Sequence, residues 1–290
     1  MRIGTKTMMM NPMMRKNRLN NRVEVLQCAE WMGDCNISHF ITTRFGGVSH
    51  GNFAGMNAGL YTEDEPGHVR ENILLLCESL GFSPERLFMP HQTHGSQVRR
   101  IDKAFLYRSK EEQTRDLEGV DALITDVRGI CVAVATADCV PVLVYAPDKQ
   151  IVAAIHAGWR GVVQAIVCQT ISQMKKVYGC DVLQMQALIG PSISREAFEV
   201  GDEVVDQFRQ SHVWTNEETE SLFSLNPRTG KMHIDLWRAV RLQLHKEGVA
   251  DRHIHLSGIC TYRHVEDFFS ARRLGIRSGR ILSGIGLRET

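Results

Sequence analysis

The distribution of apolar residues predicts an α/β (α+β) fold with mixed sheets, and three observations carry that expectation. Two β-rich runs, residues 140–145 and 151–155, flank a turn in which Pro147 and Asp148 favour chain reversal. Apolar residues at helical spacing recur in residues 65–80, 162–178 and 235–246. Hairpins and helices are interspersed without an internal repeat, and no GxGxxG or GxxxxGKS/T signature occurs.

The hairpin is the centre of the chain's chemistry. If Tyr145 pairs with Gln150, counting outward sets Cys139 opposite His156, with Cβ atoms about 4.5–5.5 Å apart. That spacing suits a shared metal ion or a thiolate–imidazole pair. Pro141 cannot donate to a ladder, so an edge or a bulge is expected there. After His156, the AGWRG turn leads into a helix, and Arg160 adds positive charge beside that helix's free N–H groups, an arrangement that favours an anion.

The remaining elements follow in order. Residues 1–22 contain no acidic residue and several Lys and Arg, and read as a disordered extension or a basic transit segment. Residues 23–290 then form one domain. Residues 37–42 read as a strand entering a Gly-rich turn whose Arg44 is either a surface charge or an anion-binding side chain. Residues 65–80 form a helix with Pro66 in its first turn and Gly81 as its stop. Residues 90–98 bring two histidines, His91 and His94, either of which supplies a third ligand to join Cys139 and His156. Three protein ligands with an open position is the composition of a catalytic zinc site. Residues 99–118 are charged and read as a long surface segment. Residues 120–125 and 130–136 are strands. Asp138 is a turn former, a carboxylate behind the ligands or a general base. Residues 183–189 read as a strand and 204–208 as helix. Residues 253–259 read as a strand with His253 and His255 partly exposed, and 279–284 as a terminal strand. Ser270, Arg272 and Arg273 form either a solvated cluster or an anion site.

Composition narrows the class. With 43% hydrophobic and 23% charged residues and a net charge of +1, neither nucleic acid nor a membrane is expected as the main partner. The eight cysteines include no CxxC pair, and no secretory segment is apparent, so reduced thiols in a cytoplasmic protein are expected.

The set TTRFGG (42–47), MNAG, QTHG (92–95), DALIT, TADCVPV, HAGWRG, IGPSI, CTY and FFSARR with a following GR resembles the YfiH family. This is also called the laccase-domain or multicopper polyphenol oxidase family, and the likeness runs from about residue 37 to 282. It implies one domain of four layers, α/β/β/α, and a Zn2+ ion held by His94, Cys139 and His156, selecting His94 over His91. It is consistent with a pocket in which Arg44 and the Arg272–Arg273 pair grip phosphate or ribose, and Arg160, beside its helix N-terminus, and Ser270, beside the Arg pair, join them as candidate substrate-binding residues. The implied partners are small-molecule purine nucleosides and phosphate. The implied reactions are phosphorolysis of adenosine, inosine and methylthioadenosine, and deamination of adenosine, with Asp138 as the candidate proton carrier. Copper chemistry fits less well, because the single HxH run is His253-Ile-His255. Two other readings stand beside this one. One is a metal-free cysteine hydrolase using a Cys139–His156 dyad; the other is a peptidoglycan editing or binding factor with a structural zinc.

Overall fold

The computed structural model describes residues 11–19 and 23–289. Its strands are β1 (Met14–Leu19), β2 (Val23–Cys28), β3 (Ile37–Thr42), β4 (Leu87–Phe88), β5 (Val98–Arg100), β6 (Ala122–Thr125), β7 (Cys131–Thr136), β8 (Val140–Ala146), β9 (Ile151–Ala157), β10 (Gln186–Ile189), β11 (Glu199–Val200), β12 (Phe223–Leu225), β13 (Met232–Ile234), β14 (Ile254–Leu256) and β15 (Ile281–Leu287). Its helices are α1 (Pro66–Leu80), α2 (Lys103–Leu106), α3 (Lys110–Asp116), α4 (Trp159–Val163), α5 (Ile166–Tyr178), α6 (Asp202–Gln210), α7 (Asn216–Ser221), α8 (Leu236–Lys246) and α9 (Ala271–Leu274).

One six-stranded sheet runs β1-β2-β3-β15-β7-β4 and the other β14-β10-β8-β9-β6-β5, with a small sheet β11-β13-β12 beside them. Both large sheets are mixed: β4 with β7, β5 with β6 and β10 with β14 are parallel, and the other pairs are antiparallel. The layering follows from period-two alternation with both faces apolar. On β8, Val140, Val142, Val144 and Ala146 face the helices, while Leu143 and Tyr145 face the other sheet. On β7, Val132 and Val134 face inward between the sheets, while Cys131 and Ala133 face the core shared with α1. Helices α5 and α8 cover one sheet and α1 the other, which gives the order α/β/β/α.

Several expectations change. The extension expected over residues 1–22 is not disordered throughout: residues 14–19 form β1, paired along its length with β2. Met14 is buried, and Lys16 reaches Glu24 at 2.9 Å and Asp267 at 3.0 Å. A charged edge strand of this kind lacks the apolar alternation that marks strands in sequence; residues 1–10 and 20–22 lie outside the described residues. The expected surface segment 99–118 contains α2 and α3, the latter started by a capping box between Ser109 and Glu112. The single helix expected over 162–178 is two helices, broken at Ala165, which takes φ +60°. Gln243 of α8 holds the break, donating to the Val162 carbonyl at 2.7 Å and accepting from the Val167 N–H at 3.2 Å. His255 is buried edge-on to Trp31, because alternation along β14 turns it between the sheets. No helix among the described residues is long and apolar enough to cross a membrane.

The hairpin register is offset by two residues from the expected one. Tyr145 pairs with Val152, and Pro141 with His156. Gln150 takes φ +52° and joins the turn, donating from Nε2 to the Tyr145 hydroxyl at 2.9 Å. An offset of two preserves every side chain's face, so Cys139 and His156 still point the same way. Pro141 is neither on an edge nor at a bulge. Its ring lies at the end of β10, where Gly190 leaves room: a Cβ there would come within 2.9 Å of the Pro141 ring.

One stability prediction follows from His39 on β3. Its Nε2 accepts from the Cys28 N–H at 2.8 Å, and burial holds its pKa down to about 4. A depressed basic group favours the folded state above its unfolded pKa of about 6.5 and loses that contribution as pH falls towards 4. About 2 kcal/mol should be lost between pH 7 and 5 on this account. Urea unfolding at both pH values should show that fall in the wild type and a smaller one in His39→Gln, whose side chain keeps an acceptor but does not titrate. Equal falls in both proteins would remove His39 as the cause.

Candidate metal centre

Strand β7 belongs to one sheet and β8 to the other, so residues 137–139 cross between sheets. Asp138 makes that crossing with φ +83°. Its carboxylate steadies the turn: Oδ1 accepts from the Thr261 hydroxyl at 2.6 Å and Oδ2 from the Arg272 N–H at 2.7 Å. Cys139 follows at the mouth of the space between the sheets. His156, near the end of β9, faces the same space and is 3% exposed. His94 arrives from the loop between β4 and β5 with φ +61°. The three donor atoms lie within 4.8 Å of one another.

Asp121, just before β6, assembles this centre. Its carboxylate accepts from the His94 N–H at 3.0 Å, the Gly95 N–H at 2.7 Å and the Nδ1–H of His156 at 2.7 Å. With Nδ1 committed, His156 offers Nε2 outward. Gln92 ties the same loop to β7, its amide exchanging two 2.8 Å hydrogen bonds with Ala135 as a strand residue would. Glycines permit the closeness. A Cβ on Gly158 would lie 2.9 Å from the His94 ring and 3.3 Å from Cys139 Sγ, and one on Gly161 would lie 2.6 Å from the Gly95 carbonyl oxygen.

The electrostatics agree with this geometry. Burial raises the Cys139 pKa, but His156 and His94 outweigh it and pull the thiol down. Burial lowers the His156 pKa, but Cys139 and Asp121 outweigh it and push the imidazole up. Burial also opposes charge on Asp121, yet His156 and the backbone N–H groups hold its carboxyl below the ordinary range. One Cys and two His with their donor atoms this close form a group that could hold a metal ion.

The three donors open onto a cavity of about 520 Å³, lined also by Tyr61, His91, Trp159, Phe198, Arg272 and Arg280. The residues expected to bind substrate are divided. Arg272 lines the cavity, its Nη1 donating to the Glu199 carbonyl at 2.8 Å. Ser270 is buried and caps α9, accepting from the Arg273 N–H at 3.2 Å. Arg44 does not line the cavity: its guanidinium donates to the carbonyls of Val265 at 2.7 Å and Ala54 at 3.2 Å and lies 4.7 Å over the Phe269 ring. Arg160 is exposed and stacks 4.4 Å over Trp159. Sequence reasoning missed Asp121 and Arg280. The signal for Asp121 was an acidic residue heading an otherwise apolar strand; Arg280 stood in the terminal GR pair without a role.

Fold and site together define an α/β/β/α protein with a His–Cys–His centre at one mouth of its sheet sandwich. The profile of the family described as multi-copper polyphenol oxidoreductase laccase matches residues 38–288, and the chain belongs to that family. It is 48% identical over 254 residues to a purine nucleoside phosphorylase of Bacteroides thetaiotaomicron, covering 88% of this chain and 93% of that protein. It is 42% identical over 249 residues to adenosine deaminase RL5 from an unknown prokaryotic organism, covering 86% of this chain and 93% of that one. Among solved structures, YlmD from Geobacillus stearothermophilus superposes with a TM-score of 0.83 at 31% identity, over 96% of this chain and 99% of YlmD.

Gly158→Ala should separate centre from fold. The added methyl would press on His94 and Cys139, and overpacking of this kind costs about 1–3 kcal/mol, one to two decades of metal affinity. Competition with a chromogenic chelator should show that loss while the circular dichroism spectrum is unchanged. Undiminished affinity would mean that Gly158 does not shape the centre.

Proposed function

We propose that this chain is a zinc-dependent enzyme acting on purine nucleosides, by phosphorolysis of adenosine, inosine and methylthioadenosine and by deamination of adenosine. The observation that carries the reading is a three-donor centre opening onto a cavity of nucleoside size. The names of the phosphorylase and deaminase relatives support the substrate class. Zinc is favoured over copper by the donor set, one thiolate and two imidazoles with an open side.

When bound, zinc supplies Lewis acidity that makes water a competent nucleophile near neutral pH. The chain's own residues do the rest. Asp121 fixes the ring of His156 and the backbone of His94. Asp138 accepts one protein hydrogen bond at each carboxylate oxygen, which positions Cys139 and Arg272, and the remaining lone pairs leave it able to carry the proton in deamination. Phosphate is held by Arg272 and Arg280. The Arg280 guanidinium donates to the carbonyls of Ser278 at 2.6 Å, Gly279 at 2.9 Å and Ile276 at 3.1 Å, and has no carboxylate partner among the described residues. Burial lowers its pKa, and the nearby Cys139 and Asp138 partly offset that, which leaves a desolvated cation facing the centre.

Metal analysis and product assays test the reading together. The purified protein should carry about one zinc per chain, and Cys139→Ala and His156→Ala should each lose it. Chelation should abolish release of adenine (with phosphate) and of inosine (without it) from adenosine, and zinc should restore both. Arg280→Ala should raise the phosphate KM by about one to two decades, the worth of a charge-assisted contact, and leave deamination nearly unchanged. The lowered Cys139 pKa also suits a metal-free Cys139–His156 dyad, so alkylation discriminates. Iodoacetamide should modify Cys139 slowly in the zinc-loaded protein and faster after chelation. Fast alkylation without chelation, with activity that survives a chelator, would favour the hydrolase.

A further inference from the structure

His91 lines the cavity with the three donors but has no part in the centre or in the handling of phosphate described above. Its position is fixed three ways. Its N–H donates to the Leu117 carbonyl at 2.9 Å, and its carbonyl accepts from the Gly119 N–H at 3.0 Å, so the backbone is bridged to the turn that carries Glu118. Its Nδ1 lies 2.7 Å from Glu118 Oε1. Its ring stacks on Tyr61, with centroids 4.0 Å apart and planes at 27°. An exposed imidazole–carboxylate pair contributes little to stability. Restraint from backbone, carboxylate and aromatic ring together is more than a surface pair requires, and it orients an imidazole. With Nδ1 facing Glu118, Nε2 is the free ring nitrogen, and among the described residues it has no protein partner.

The cations Arg272 and Arg280 line the cavity together with Asp138 and Cys139, while Tyr61, 56% exposed, lines it beside His91, on whose ring it stacks. A phosphate belongs with the cations. The flat, weakly polar face of a purine belongs against the Tyr61 side, beside His91.

We propose, building on the phosphorolysis reading above, that His91 is the catalytic acid that protonates the departing purine and that Glu118 is its positioning residue. A phosphate oxygen forms its bond to C1′ of the ribose as the C1′–N9 bond breaks. The electron pair of the broken bond passes into the purine ring, and N7 takes the proton from Nε2 of the His91 imidazolium. The products are ribose 1-phosphate, a neutral purine base and a neutral imidazole. Solvent at the open side of the cavity returns the proton. Glu118 accepts from Nδ1–H throughout and keeps Nε2 aimed at the base.

A purine nucleoside already methylated at N7 carries its positive charge before the bond breaks, and its base leaves without an acid. The test compares phosphorolysis of inosine and 7-methylinosine by the zinc-loaded wild type, His91→Gln and Glu118→Gln, with zinc content measured for each. His91→Gln should lower kcat on inosine by about 100-fold and change it by less than about threefold on 7-methylinosine, with zinc content unchanged. Glu118→Gln should lose about tenfold on inosine alone. Equal losses on both substrates, or undiminished inosine turnover in His91→Gln, would overturn the assignment and leave the phosphorolysis reading standing. A wild type that cleaves neither substrate would overturn both.

Discussion

The buried carboxylate of Asp121 is the interaction on which the centre depends. A carboxylate with no water must be neutralised or fully hydrogen-bonded. Asp121 meets that demand by collecting backbone N–H groups from the His94 loop and the imidazole N–H of His156. These partners come from segments about sixty residues apart in sequence, so satisfying one acid also brings two of the three metal-ligand candidates together. The third, Cys139, needs no such tie. It comes with the crossing from one sheet to the other, and that crossing exists because β7 and β8 lie in different sheets.

Much of this was legible in sequence where a local rule governs. The hairpin, α1 and α8 follow from turn residues, helical spacing and caps. The two-residue offset in the hairpin was not legible, because alternation specifies the face and leaves even shifts unresolved until Gln150 adopts its left-handed conformation. The break between α4 and α5 was hidden for a different reason: the residue that maintains it, Gln243, lies on α8, far along the chain. Strand β1 was hidden because its stability comes from pairing with β2 and from Lys16 reaching Glu24 and Asp267. The paired Cys139 and His156 could be read from the hairpin, and the choice of His94 over His91 came from the motif likeness alone. The two histidines differ in their partners: His94 is held by Asp121 and His91 by Glu118.

Charge taught a similar lesson. The chain is nearly neutral, and its arginines are indistinguishable by composition. Arg44 looked suited to an anion because glycines surround it, but its guanidinium donates to the carbonyls of Val265 and Ala54. Arg280 also donates only to carbonyls among the described residues, yet it faces the cavity. The difference lies in what the remaining face of the guanidinium sees. For Arg44 it is the Phe269 ring, and for Arg280 it is the cavity that Cys139 also lines.

Backbone strain is distributed to match. Among the described residues, the non-glycine positions with positive φ are His94, Asp138, Gln150 and Ala165. Gln150 serves the hairpin turn, and Ala165 the break that ends α4. His94 and Asp138 lie at the centre itself, one a candidate ligand and the other beside one. A non-glycine residue held there costs on the order of 1–3 kcal/mol and persists only where its surroundings over-determine it. At both positions the surroundings do so through a carboxylate: Asp121 grips the His94 backbone, and Asp138 grips Thr261 and the start of α9 with its own side chain. The two acids therefore hold the candidate ligands in place before any ion arrives. Donors fixed in the fold in this way would leave less ordering to be done if a metal ion bound.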